Sequence, residues 1–81
     1  MLRASEIWDI ILGRTPRRRW VLLEEIYQSV EREGLLDDED FEPQSPSSDI
    51  PKWKRNVRNV LQYRKRIGGI KWNGKAGYFL D

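Results

Sequence analysis

Neither cysteine nor histidine occurs anywhere in this 81-residue chain. A single domain of this size sits near the lower limit of what an apolar core alone can hold, and small chains commonly add disulfides or a structural zinc. Without thiol or imidazole, disulfides, thiolate metal sites and thiol nucleophiles are excluded. Zinc binding and imidazole acid–base catalysis lose their usual residues. The fold must therefore be held by buried apolar area. Four Trp, three Tyr and two Phe supply bulk for it, in a composition that is 38% hydrophobic with these aromatics included and 35% charged; each Å² buried contributes about 25 cal/mol. An enzyme is not expected, nor is a cofactor, and the lack of cysteine points to a cytoplasmic setting. No window approaches the roughly 18 to 20 apolar residues of a membrane span. Met1 to Arg14 mixes acids with its apolar residues and has no small-residue cleavage pattern, unlike a signal peptide.

The net charge of +2 conceals a strong segregation. Residues 1–21 carry five Arg against Glu6 and Asp9, a net +3. Residues 22–49 carry ten acids against Arg32, a net −9, and residues 50–80 carry nine Lys or Arg and no acid. A +9 block in about thirty residues is what a polyanion would feel. A solubility pattern is the plain alternative for any charge run, so placement on the fold decides.

Apolar spacing predicts a first helix from Ser5 to Leu12, capped by Ser5 and ended by Gly13, then a brief strand over Arg17 to Val21. A second helix starts at Leu22 with Leu23, Ile26, Tyr27 and Val30 as its stripe, and Gly34 stands at its end. Residues 35–51 read as an acidic loop, long for a connection. Its consecutive acids lack the alternate spacing and turn glycine of a calcium loop, so no metal is expected. Asp49 reads as the cap of a third helix from Lys52 to Ile67, with Pro51 in its first turn. Ile70 to Trp72, the Asn73-Gly74 turn and Gly77 to Leu80 predict a closing hairpin. Trp8, Trp20, Tyr27, Trp53, Trp72 and Tyr78 all occupy positions expected to face the core.

The third helix carries the functional signal. Trp53, Val57, Val60, Leu61 and Ile67 form one stripe, with the stem of Arg64 along its edge. The opposite side holds Arg55, Arg58, Asn59, Gln62, Lys65 and Arg66 without a carboxylate. Arg pairs with guanine O6 and N7, and Asn or Gln with adenine N6 and N7, in a major groove wide enough for an α-helix. Arg55, Arg58, Asn59 and Gln62 are the expected base readers. Lys52, Lys54, Lys65 and Arg66, with Lys71 and Lys75 of the hairpin, are the expected phosphate contacts. A solvated amphipathic helix is the competing description, but exposed helices normally alternate charge sign.

The segments Trp20-Val21-Leu22-Leu23-Glu24-Glu25-Ile26-Tyr27, Arg55-Asn56-Val57-Arg58-Asn59-Val60-Leu61-Gln62, Gly69-Ile70 and Gly77-Tyr78-Phe79-Leu80 together resemble winged helix-turn-helix domains attached to bacterial restriction endonucleases. The likeness is greatest to the C-terminal winged helix of the nuclease that cuts adenine-methylated DNA and to the N-terminal domains of Mrr-type enzymes. It covers about residues 18–80. Two departures stand out: Tyr63 to Arg66 reads Tyr-Arg-Lys-Arg where the family has Leu-Arg and an acid, and the acidic loop at 37–42 is longer. The resemblance implies an α+β fold of three helices, a short strand and a two-stranded wing, forming one domain over 1–81. It implies double-stranded DNA as partner, recognition of N6-methyladenine as a specific form of that activity, and a nuclease domain in a longer parent chain. It implies no nuclease activity here, because no Pro-Asp…Asp/Glu-x-Lys or His-Asn-His constellation is present. The alternative function is a protein-interaction module, with the acidic loop as partner surface or as a mask over the basic helix. RNA binding is disfavoured because the aromatics read as buried.

Overall fold

The computed structural model describes residues 1–81 as four helices and a three-stranded antiparallel sheet, an α+β arrangement. In chain order these are α1 (Ala4–Arg14), β1 (Trp20–Leu22), α2 (Leu23–Glu33), α3 (Asp38–Phe41), α4 (Lys52–Arg66), β2 (Lys71–Trp72) and β3 (Gly77–Phe79). The helix expected to be third is therefore α4, and a short helix stands within the stretch expected to be loop. No helix is long and apolar enough to cross a membrane.

Local chemistry explains where the boundaries moved. α1 begins after Arg3, not at Ser5, because the Glu6 carboxylate accepts from the Arg3 N–H at 2.9 Å. It passes through Gly13, whose cost inside a helix is only about 1 kcal/mol. It stops where Pro16 disfavours helical geometry at Thr15. α2 repeats the starting device: Glu25 accepts from the Leu22 N–H at 2.8 Å. At its end, Gly34 has φ −80°, so it is not there for left-handed geometry. A Cβ at that position would lie 2.7 Å from the Val30 carbonyl oxygen and 3.0 Å from the Leu2 side chain, so close approach requires the glycine.

The expected acidic loop is folded. Asp37 accepts from the Asp40 N–H at 3.1 Å, capping α3, while Asp40 accepts from the Asp37 N–H at 3.0 Å. Asp40 is fully buried and its carboxylate also accepts from the Leu2 N–H. Pro43 pairs with Pro51 in an isolated bridge, and the Lys52 N–H donates to the Glu42 carbonyl at 2.8 Å. These contacts deliver the chain to α4 with Pro51 as its N-cap residue, so Asp49 does not cap the helix.

The sheet order is β1-β3-β2, which places the C-terminal strand between the other two. Trp20 pairs with Phe79 and Val21 with Tyr78, while on the other side Lys71 pairs with Phe79 and Trp72 with Tyr78. The hairpin turn is not a two-residue one. The Asn73 side chain accepts from the N–H groups of Lys75 and Gly77, and Gly74 takes φ +87°.

α1 packs on α2 and α4, and the core joins Ile7, Trp8 and Ile11 of α1 to Ile26 and Val30 of α2, Trp53, Val57 and Leu61 of α4, and Val21, Tyr78 and Leu80 of the sheet. Three residues expected inside are not. Ile67 is 55% exposed because α4 ends at Arg66 and the chain turns away at Gly68. Trp20 is 51% exposed because strand alternation puts it with Phe79 on the face opposite buried Val21 and Tyr78. Trp72 points to the inner face but lies at its rim, 41% exposed.

Candidate nucleic-acid interface

α4 buries Trp53, Val57, Val60 and Leu61 and leaves its other side in solvent. Arg55, Arg58, Asn59 and Gln62 are all exposed on that side, together with Lys65 and Arg66. None of these six takes part in an ion pair or a side-chain hydrogen bond. Every ion pair of the protein lies elsewhere: Met1 with Asp37 and Glu39, Arg14 with Glu33, Arg19 with Glu25, and Lys52 with Glu42. The first turn of α4 contains no acid, and its N-cap, Pro51, offers no side-chain acceptor. Its positive end therefore adds to the side-chain charge. Over its 15 residues the helix is about 22 Å long, enough to lie across a major groove.

The expected phosphate contacts divide. Lys52 is held by Glu42 at 2.9 Å and is not free. The Lys54 ammonium lies over the rings of Tyr27 and Trp53, 5.1 and 5.7 Å from their centroids, at the end of α4 where the chain enters. Lys65 lies 4.4 Å from the Trp72 ring centroid. A small hollow lined by Gln62, Lys65, Trp72 and Tyr78 brings the hairpin directly against the exposed flank of α4. Lys75 sits in the hairpin turn, where its carbonyl accepts from the Trp72 indole N–H at 2.6 Å. Lys71 is apart from these: it shares the outer sheet face with Phe79, 5.5 Å from that ring.

Arg58 also acts inward. Burial pushes the Tyr27 and Tyr78 hydroxyls above their ordinary value, and the positive charge of Arg58 offsets part of this at both rings. The cluster Arg17 to Arg19 has mainly structural duties. Arg17 donates to the carbonyls of Leu12 and Asp81, tying the end of α1 to the end of the chain, and Arg19 bonds Glu25. Arg18 is exposed with φ +59°.

Two features escape a reading of spacing alone. Trp72 forms the contact between hairpin and helix with its face covered by a lysine, and Asn56, Asn59 and Tyr63 line a groove beside α1. Intervals of 3 and 4 residues put the last three on one edge of the helix, but spacing cannot show that α1 stands opposite them. No group of three or more His, Cys, Asp or Glu is arranged to hold a metal. No family model, no curated protein and no solved structure matches the chain.

Proposed function

We propose that this chain is a winged helix-turn-helix domain that binds double-stranded DNA, with α4 in the major groove and the β2–β3 hairpin as the wing. The observation that carries this reading is the exposed flank of α4, where guanidinium and carboxamide groups stand together with no carboxylate paired to any of them. Arg55, Arg58, Asn59 and Gln62 read base edges. Lys54, Lys65, Arg66 and Lys75 hold phosphates, Lys71 reaches the backbone from the far side of the wing, and Lys52 joins them only after leaving Glu42.

Fluorescence anisotropy with a labelled duplex tests the reading. Arg58→Glu is expected to abolish measurable binding while the helical circular dichroism is unchanged; equal affinity would remove α4 from the interface. With about five phosphate contacts, log affinity is expected to fall against log salt with a slope near −4 to −5. The narrower proposal, recognition of N6-methyladenine by Asn59 and Gln62, is tested with one duplex carrying or lacking the methyl group. Affinities within about twofold would end it.

One observation favours a second activity on another face. Trp20, Leu22 and Phe79 expose an apolar row on the outer side of the sheet, with Trp20 and Leu22 each more than half exposed. Such a row suits a protein partner, and Trp20→Ser would weaken that contact while leaving DNA affinity unchanged.

A further inference from the structure

Beside the cationic flank of α4, between that helix and the start of α1, lies a groove of about 610 Å³. Leu2, Ala4 and Val60 give it apolar walls, Asn56 and Asn59 bring carboxamides, and Tyr63 brings a half-exposed aromatic ring. No carboxylate lines it. The Arg64 guanidinium completes the wall, 4.8 Å from the ring centroid of Trp8 and 5.5 Å from that of Tyr63. It takes part in no ion pair, so it is held against the two rings with its N–H groups uncommitted.

We infer that this groove receives one unstacked nucleobase from DNA bound along α4, an inference that rests on the double-stranded DNA reading above. The volume lies within the range of pockets that enclose small molecules. The apolar walls, the two carboxamides and the Tyr63 ring suit a flat, hydrogen-bonding ring, with Arg3 on the α1 side of the groove. Bases that leave the stack are held on aromatic or guanidinium planes and read along their edges by hydrogen bonds. Carboxamides pair with adenine in particular. Asn59 belongs both to the exposed flank of α4 and to the groove, so a duplex lying on the helix passes the opening. Arg3 and Arg64 could meet a phosphate, but a phosphate has no use for the apolar walls and two carboxamides beside them.

Taking a base out of a duplex costs a few kcal/mol, and least where the base is already unpaired. The domain is therefore expected to bind a duplex with a single unpaired adenine about tenfold more tightly than the same duplex fully paired. Anisotropy titrations of both duplexes, with the wild-type chain, Asn56→Ala and Tyr63→Ala, test this. The expected result is a preference for the unpaired adenine that falls to within about twofold in each variant, with affinity for the paired duplex unchanged. The two substitutions lie on different turns, so Asn56→Ala carries the test should Tyr63→Ala lose its helical signal.

Equal affinity of the wild type for both duplexes, or a preference that survives both substitutions, overturns the inference and leaves the DNA reading standing. Absence of binding to either duplex overturns both. Self-association weakened by Tyr63→Ala, with no preference for the unpaired base, would assign the groove to a second copy of the chain.

Discussion

The acidic stretch around α3 and the exposed flank of α4 carry charge of opposite sign at similar density, and they use it in opposite ways. The acids work inward. Asp40 is wholly buried and binds backbone N–H groups from both Leu2 and Asp37, Asp37 takes the terminal amino group of Met1 at 2.6 Å, and Glu42 holds Lys52. The cations on the exposed flank of α4, Arg55, Arg58, Lys65 and Arg66, have no such partners. Lys52–Glu42 is the one ion pair between the two stretches, so the acids do not lie over Arg55, Arg58 or Arg66 as a mask. A charged run whose counterparts lie in its own chain is part of the scaffold; one without them is available to something else.

The largest expected effect comes from removing the buried acid. Asp40→Ala leaves the buried Leu2 N–H and the part-buried Asp37 N–H without an acceptor, an expected loss of about 2–3 kcal/mol. Urea unfolding followed by tryptophan fluorescence measures it. Arg58→Ala is expected to shift stability by less than about 0.5 kcal/mol in the same assay, because its side chain bonds to nothing in the chain. Similar losses for the two variants would break the contrast.

A second test asks whether every arginine outside the acidic stretch is equally uncommitted. Arg17 bonds the Leu12 carbonyl at 2.9 Å and the Asp81 carbonyl at 3.1 Å. Arg17→Ala is expected to cost about 1 kcal/mol of stability, below the usual value for charged hydrogen bonds because the site is exposed, with DNA affinity unchanged. A loss of affinity as large as that of an Arg55 variant would place the first basic cluster in the interface as well.

These contrasts also show what one-dimensional pattern could and could not reveal. The face of α4 was legible because a helix of fixed period sorts residues by position alone: Trp53, Val57, Val60 and Leu61 went inside, Arg55, Arg58, Asn59 and Gln62 outside. The buried state of Asp40 was not, because its acceptor role depends on Leu2, 38 residues away. Composition alone made 37–42 look like a solvated loop. Trp20 was misplaced for a related reason. A three-residue strand has too little alternation to show which parity faces inward, and the answer comes from pairing with Phe79 near the other end of the chain. Lys52 looked identical to Lys54 until the Pro43–Pro51 bridge brought Glu42 beside it.

The single ion pair that joins the two stretches offers a smaller test. Glu42→Gln releases Lys52 from an exposed contact worth about 0.5 kcal/mol or less. DNA affinity is expected to rise by about twofold at low salt, with the gain lost as salt is raised. A fall in affinity would mean that Glu42 positions the start of α4 for binding instead of competing for its lysine.

The finest test concerns Arg58, whose charge bears on both buried tyrosines. Burial raises the Tyr27 and Tyr78 hydroxyls above their ordinary value of 10.0, and Arg58 opposes that rise at both. A hydroxyl raised in the folded state contributes stability that is complete below pH 10.0 and is lost as pH climbs through its raised value. Removing the guanidinium in Arg58→Ala should move both ionisations further up, read as a later rise in tyrosinate absorbance on alkaline titration, whereas Arg58→Lys should keep the wild-type curve. An unshifted curve for Arg58→Ala would mean that the guanidinium stands clear of the aromatic core altogether.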